Sequence, residues 1–175
     1  LPKNAPPEIT TENHDEKPTK IEPPSSIGKT DLIGANYRSA IVSGHGGQAY
    51  PKQDSGATVL ADLAAGTPVK VLSSRDGWAA VNVPAVASVW VYGKYVVTLN
   101  SNSYIRGTRV RARSLPSTSS DSVIVGAFDA NERVQILTER GDWKQVSAPP
   151  KFPLWMPIEQ LEVYPQVTSG WLEQW

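Results

Sequence analysis

The sequence predicts an all-β protein: two small β-barrels in tandem, preceded by a Pro-rich N-terminal segment that is extended or disordered. The main observation is an internal repeat, because a shift of 65 residues aligns Trp78 with Trp143 and Trp90 with Trp155. Tryptophan is scarce, so two such coincidences indicate a duplicated unit of roughly 60 residues. Each unit has short apolar runs separated by Gly, Pro, Asn and Asp, which is typical of strands joined by turns. No stretch predicts a helix longer than two turns, and a closed barrel would limit exposed strand edges.

The composition bounds the function classes. The 175 residues carry 17 basic and 17 acidic side chains, and this zero net charge argues against binding of nucleic acid or of anionic membranes. Cysteine is absent and only two histidines occur, which excludes disulfides and ordinary zinc sites. No apolar run approaches the ~20 residues of a membrane span, so we expect no direct membrane insertion of this segment. We expect neither a cofactor nor a metal.

Residues 1–35 form the Pro-rich segment, which contains six prolines and no Phe, Trp or Tyr. Such a stretch cannot bury enough apolar surface to offset the entropy lost on ordering. We therefore expect a spacer largely without regular structure, either an unstructured terminus or a tether that holds the rest away from an anchor. The first residue is Leu1 rather than Met, which is compatible with removal of a signal peptide.

The first repeat is predicted to form a barrel over residues 36–98. Val69 and Val71 alternate with Lys70, which indicates a strand with one buried face. The predicted elements are a strand at 69–72, a polar turn at 74–77, a returning strand at 78–83 and a short strand at 89–92. Gly66 precedes the hairpin, and Asn131 occupies the same place in the second repeat. Both residue types tolerate positive φ, so the shared turn is expected to require it.

The second repeat is predicted to form a barrel over residues 104–165, followed by a tail over 166–175. Its predicted elements are strands at 123–126, 133–138 and 143–147, a turn at 139–142, and a single helical turn at 157–161. Residues 98–108 would be a short linker between the repeats. The tail contains Trp171 and Trp175, which would either fold back onto a barrel or dock on a partner. We expect it to pack against the second repeat because free apolar tails promote aggregation.

A family resemblance rests on the second repeat. Residues 110–119 read VRARSLPSTS, and the segments VQIL (134–137), GDW (141–143) and WM (155–156) follow in order. This pattern resembles bacterial SH3 (SH3b) domains over the whole repeat, whereas residues 45–51 of the first repeat, HGGQAYP, depart from it. The resemblance implies SH3-like β-barrels, non-catalytic binding of peptidoglycan or its stem peptides, and a bacterial envelope location, periplasmic or exported. The first repeat is interpreted as a diverged copy.

Aromatic side chains are the main candidates for ligand contact. Trp78 and Trp143 each lie three positions before a valine, Val81 or Val146, that should enter the core. Because side chains alternate between the faces of a strand, each indole is expected on the outer face, where it offers a flat platform to a peptide or sugar. The alternative is that loops cover this face as well. The predicted ligand-binding residues are Trp78, Trp143, Tyr50, Tyr92, Trp90, Trp155, Arg111 and Arg113.

The two arginines in that set belong to an alternating stripe, Arg109, Arg111 and Arg113. Guanidinium groups on one strand face can hold carboxylates or phosphates through paired hydrogen bonds. The counterparts at the 65-residue offset are Gly44, Gly46 and Gln48, so the stripe occurs in one repeat only. The alternative is a solvated stripe that protects an edge strand from aggregation.

Catalysis has little support in the sequence, and we predict that the protein is not an enzyme. A covalent mechanism needs a nucleophile with an adjacent base, and His14 and His45 are the only histidines. The acidic residues fall mostly in predicted turns, where they serve local hydrogen bonding. Two functions remain: an envelope module that binds peptidoglycan or its peptides, and a protein–protein adaptor in which the two barrels pack together and bind a partner.

Overall fold

The structure is a computed structural model that describes residues 36–175, and the predicted spacer at 1–35 lies outside the described residues. It confirms an all-β protein. The first repeat contains β1 (Arg38–Val42), β2 (Gly47–Ala49), β3 (Ala61–Leu63), β4 (Pro68–Arg75), β5 (Trp78–Asn82), β6 (Ser88–Tyr92), a 3₁₀ turn (Gly93–Tyr95) and β7 (Val96–Leu99). The second contains β8 (Asn102–Ile105), β9 (Val110–Arg113), β10 (Ile124–Phe128), β11 (Arg133–Val134), β12 (Ile136–Arg140), β13 (Trp143–Ser147), β14 (Leu154–Pro157), a 3₁₀ turn (Ile158–Gln160) and β15 (Leu161–Val163). A short helix, α1 (Ser169–Gln174), follows.

The two repeats contain the same elements in the same order, with β11 and β12 together taking the place of β4. The predicted hairpins are confirmed, since β4 pairs with β5 and β12 with β13. The predicted helical turn is also confirmed, as a 3₁₀ turn at Ile158–Gln160. Gly66 and Asn131 have φ of +81° and +67°, so both turns require the left-handed conformation that the exchange between glycine and asparagine indicated.

The last strands of the two repeats are exchanged. Strand β6 of the first repeat pairs with β13 of the second, while β14 of the second pairs with β5 of the first. In the same way β7 pairs with β8, and β15 pairs with β1. We call β1–β5 with β14 and β15 the first lobe, and β6–β13 the second lobe. The second lobe is therefore one continuous stretch of chain, inserted between the fifth and sixth strands of the first lobe.

A two-residue turn explains the exchange. Asn100 and Ser101 have φ of +48° and +66°, the left-handed values at both central positions that a type I′ hairpin requires. This turn joins β7 directly to β8, with Leu99 opposite Asn102. The expectation of a linker at 98–108 is therefore wrong. The turn therefore places β7 beside β8, and β15 occupies the corresponding place beside β1.

The turn yields a stability prediction. Ser101 has a Cβ and lies in the left-handed region, which costs roughly 1–2 kcal/mol, whereas glycine loses somewhat more chain entropy on folding. We expect Ser101→Gly to raise the free energy of unfolding by about 0.5–1 kcal/mol, measured by urea denaturation. Ser103→Gly, inside β8, is the control and should lower it. A loss of stability in Ser101→Gly would contradict the assigned turn.

Strand pairing corrects the alignment of the repeats. Trp155 forms a bridge with Tyr50, and its counterpart Trp90 pairs with Arg113. The strands before the loop that leads to β3 or β10 are therefore related by 63 residues, and only the part from β3 and β10 onward by 65. The loop before β10 contains the two extra residues, so the 65-residue shift, when applied to β9, misplaced the counterparts of the arginine stripe. Its structural counterparts are Gly46, Gln48 and Tyr50.

The sheets are open, and they do not close into the expected barrels. The first lobe has one five-stranded sheet, β14-β5-β4-β1-β15, and a separate pair β2-β3; the second has β10-β9-β6-β13-β12 and a separate β11-β8-β7. Register shifts at Leu72 and at Leu137 interrupt the ladders, and β11 and β12 are separated at Gln135. One hydrophobic core cluster contains buried residues of both repeats.

The C-terminal tail packs on the first lobe. The Trp171 indole is buried, donates its N–H to the Ala40 carbonyl oxygen at 2.7 Å, and stacks on Trp175 with the ring centres 5.7 Å apart. Lys70 lies over the Trp175 ring, with Nζ 4.3 Å from its centre. The expectation that the tail would pack against the second repeat is wrong because the exchange places β15, which precedes the tail, beside β1.

Candidate functional site

A cleft of about 770 Å³ in the second lobe brings together four of the predicted ligand residues. It lies between the end of β6, the outer face of β9 and the start of β13. The predicted residues that line it are Tyr92, Trp143, Arg111 and Arg113. The other lining residues are Lys94, Tyr95, Gly107, Thr108, Arg109, Val110, Pro116, Ser117 and Thr118.

The cleft is built from both repeats. Tyr92, Lys94 and Tyr95 come from the exchanged end of the first repeat, and the other lining residues come from the second. The junction is close, because the Gly93 amide donates to the Asp142 carbonyl oxygen at 2.6 Å. A Cβ at Gly93 would lie 2.9 Å from that oxygen, so only glycine allows this approach. Without the strand exchange the cleft would keep Trp143 but lose Tyr92, Lys94 and Tyr95.

Two rings form that wall. Tyr92 and Trp143 lie opposite each other on β6 and β13, with ring centres 5.5 Å apart at 74°, an edge-to-face pair. Both side chains are half-buried, which leaves part of each ring open to a ligand. The Tyr92 hydroxyl donates a long hydrogen bond, 3.5 Å, to the Asp142 carboxylate. Lys94 lies over Tyr92 and Tyr95, 5.5 Å and 4.9 Å from their ring centres.

Strand β9 supplies the cationic wall. Val110 and Ala112 are buried, whereas Arg111 is exposed and Arg113 half-buried, which confirms the alternation predicted for this strand. Arg113 donates to the Ser122 carbonyl oxygen at 2.9 Å, a bond that fixes the orientation of its guanidinium. Arg109, just before β9, has φ of +55°. β9 pairs with β10 along its length but with β6 only at Arg113, so Arg109 and Arg111 lie beside a strand edge without a partner strand, and the interpretation of the stripe as edge-strand protection stays a prediction.

The corresponding surface of the first lobe has different chemistry. It forms a depression of about 870 Å³ that includes Gly46, Gln48, Glu159 and Gln160. By the corrected alignment these residues replace Arg109, Arg111, Lys94 and Tyr95. The Gln160 side-chain oxygen accepts a hydrogen bond from the backbone N–H of Gln48 at 2.9 Å. The side-chain amide of Gln48 donates to the Asp62 carboxylate at 2.8 Å. This depression therefore contains none of the four cationic groups of the cleft.

The remaining predicted ligand residues lie outside the cleft. Trp78 is half-buried, and Tyr50 packs edge-on against it at 5.8 Å. Tyr50 and Trp90 are only 5% and 7% exposed, and the Arg140 guanidinium lies over the Trp90 ring. Trp155 is half-buried and forms the backbone bridge to Tyr50. A contact of any of these four with a ligand stays a prediction.

Sequence reasoning did not select Lys94, Tyr95 or Arg109 as ligand residues. The first two belong to the other repeat and approach β9 only through the exchange, so spacing along the chain contains no signal for them. Arg109 was visible as the first member of the stripe, but Gly107 with φ of +115° and the positive φ of Arg109 itself are what turn it toward the cleft residues.

Residues 148–153 form the second of the two connections between the lobes, from β13 to β14. A salt bridge holds this connection to the second lobe. Lys151 contacts the Glu132 carboxylate and lies 3.7 Å from that of Asp129. Partial burial would raise the pKa of Glu132, but hydrogen bonds from Lys151 and the Asp129 amide hold the pKa below its ordinary value. The stabilisation by this carboxylate is therefore present above its unfolded-state pKa and is lost as the pH falls through the lowered one.

Residues 36–175 contain no group of three or more His, Cys, Asp or Glu side chains placed to hold a metal ion. The described part of the chain also has no helix long and apolar enough to cross a membrane. Comparison with protein-family models, with curated proteins and with solved structures finds no match to this chain. The resemblance to SH3b domains therefore stays a prediction.

Proposed function

We propose that the protein is a non-catalytic module of the bacterial cell envelope that binds peptidoglycan or its stem peptides in the cleft of the second lobe. One observation carries the proposal: the Tyr92–Trp143 pair and the arginines of β9 line one open cleft. Partly exposed rings bind the apolar faces of sugars and peptides, and guanidinium groups bind carboxylates. Peptidoglycan offers both kinds of group.

The chemistry of the lining supports binding rather than catalysis. Its hydroxyl groups belong to Tyr92, Tyr95, Thr108, Ser117 and Thr118, and the lining contains no histidine, carboxylate or thiol to act as a general base. The Ser117 hydroxyl shares a hydrogen bond with Ser119, 2.7 Å apart. A hydroxyl with no adjacent base is a weak nucleophile.

The proposal extends to the fold and the location. We interpret each lobe as an SH3-like β-barrel that is completed by the last strands of the other repeat and does not close fully. A periplasmic or exported location follows from the proposed ligand, and residues 1–35 would hold the lobes at a distance from an anchor. Both statements rest on the resemblance of residues 110–156 to SH3b domains.

Sedimentation with insoluble peptidoglycan tests the function. We expect the wild-type protein to be retained and Trp143→Ala to lose at least four-fifths of that retention, a loss of about 1–2 kcal/mol in binding free energy. Trp78→Ala is the matched control, because it removes the equivalent indole of the first lobe and should leave retention unchanged. Circular dichroism would establish that both variants remain folded. Absence of wild-type retention would contradict the proposal.

A protein–protein adaptor is the second candidate. Two observations favour it: one core contains buried residues of both repeats, and Leu72 and Leu137 are exposed at equivalent bulges, one in each lobe. A protein with one shared core and one exposed leucine in each lobe is suited to binding a protein surface. Under this alternative, Leu72→Ser with Leu137→Ser would abolish capture of the partner and leave peptidoglycan sedimentation unaffected.

A further inference from the structure

We propose that the cleft of the second lobe recognises a peptide with free carboxylates and that each chain binds one such ligand, in this cleft and not in the first lobe. This rests on the proposed function and names the chemical group that the cleft selects. The observation that carries it is the difference in charge between two structurally equivalent surfaces of the same chain.

Four cations, Lys94, Arg109, Arg111 and Arg113, line the cleft, and the lining contains no acidic residue. One of them, Lys94, also borders a neighbouring depression that contains Glu139 and Asp142. Among the ion pairs of the described residues, which join Lys52, Arg75, Lys144 and Lys151 to acidic neighbours, none uses these four side chains. Like charges placed together disfavour the folded state unless an anion balances them.

The position of Arg113 argues for recognition rather than for solubility alone. At this residue β9 pairs with β10 on one side and with β6 on the other, so the charge of Arg113 protects no strand edge. The bond from Arg113 to the Ser122 carbonyl leaves its other N–H groups free in a fixed orientation. A guanidinium held in this way is prepared for a paired hydrogen bond with a carboxylate.

The aromatic wall favours a peptide over a small inorganic anion. Tyr92, Tyr95 and Trp143 give an apolar surface on one side of the cleft, with the arginines on the other. An acidic peptide can place its backbone and methyl groups on the rings while its carboxylates reach β9. A phosphate ion would contact the cations and leave the rings unused.

The first lobe lacks the features that this ligand requires. Gly46, Gln48 and Tyr50 occupy the positions of the three arginines, and Glu159 replaces Lys94. Pro157 lies opposite Trp78, where Tyr92 lies opposite Trp143 in the cleft, so the first lobe lacks the second partly exposed ring; its Tyr50 is buried against Trp78. A carboxylate entering this depression would meet Glu159 and Asp62, both exposed and negatively charged. Binding is therefore expected once per chain.

Isothermal titration calorimetry on the full chain tests the inference, with two probes: a synthetic peptidoglycan stem tetrapeptide with free carboxylates, and the same peptide with every carboxylate converted to an amide. We expect the acidic peptide to bind with a stoichiometry of one and the amidated peptide to bind at least tenfold more weakly. Arg109→Gln with Arg111→Gln should also weaken binding of the acidic peptide at least tenfold. Arg133→Gln, an exposed arginine outside the cleft, should leave it unchanged.

Several results would overturn the inference: equal affinity for the two peptides, no binding of either, a stoichiometry of two, or unchanged affinity in the double arginine variant. These results are distinct from failure of the proposed function. Retention on intact peptidoglycan that depends on Trp143 but not on Arg109 and Arg111 would keep the function and remove the carboxylate as the recognised group.

Discussion

Phe152→Ala is expected to lower the free energy of unfolding by about 3–5 kcal/mol, the usual cost of deleting a buried aromatic side chain. Phe152 is 4% exposed, and its ring packs edge-on against Phe128 with the centres 5.0 Å apart. It lies in the second connection between the lobes, where its backbone carbonyl also accepts a hydrogen bond from Asn82. Its removal should therefore leave a cavity in the second lobe and loosen the route by which β14 returns to the first.

Urea denaturation measures this change, and Gly126 provides a matched test of the cause. A Cβ at Gly126 would lie 2.6 Å from the Phe152 ring, so Gly126→Ala should destabilise the wild-type protein by about 1–3 kcal/mol through overpacking. In the Phe152→Ala background the same substitution should cost little, because the space is open. A loss below about 1 kcal/mol for Phe152→Ala, or additive effects of the two substitutions, would contradict this packing.

The fold class and the local elements were predictable because they depend on short-range patterns. The hairpin turns at 74–77 and 139–142, the alternation in β9 and the positive φ of Gly66 and Asn131 all follow from residues within a few positions of each other. These signals do not require knowledge of which strands pair across the chain.

The strand exchange was not predictable from the repeat, because the same strand sequences can pair within a repeat or between repeats. The turn at Asn100 and Ser101 favours pairing between the repeats, because it joins β7 to β8 as a two-residue hairpin. The loops before β3 and β10 also differ in length, so the 65-residue shift misaligned the strands before them by two residues. Local sequence patterns therefore predict where the strands lie, whereas one short connection determines which strands pair.

The same reason limits what could be predicted of the site. Trp143, Tyr92, Arg111 and Arg113 were selected from their residue type and strand position, and all four line the cleft. Lys94 and Tyr95 join them only because the end of the first repeat lies in the second lobe. Trp90 belongs to the same strand as Tyr92, and Tyr50 follows β2 in the first lobe, yet both are buried because other side chains cover them, Arg140 over Trp90 and Trp78 beside Tyr50.

Paired cysteines are expected to distinguish the exchanged chain from an unexchanged one with an all-or-none result. Ile41 of β1 lies opposite Glu162 of β15, and neighbouring strands place facing Cα atoms within the 4.4–6.8 Å that a disulfide spans. Without the exchange, β7 would lie beside β1 and Val97 would take the place of Glu162. Val97 instead faces Tyr104. The natural chain has no cysteine, so any disulfide in such variants is the introduced one.

The decisive measurement is the oxidation of two variants, Ile41→Cys with Glu162→Cys and Ile41→Cys with Val97→Cys, followed by non-reducing electrophoresis and mass spectrometry. We expect the first to form an intrachain disulfide in a monomer, which still sediments with peptidoglycan, and the second to remain reduced. A disulfide in the second variant, with free thiols in the first, would contradict the exchange and with it the cleft that the two repeats build together.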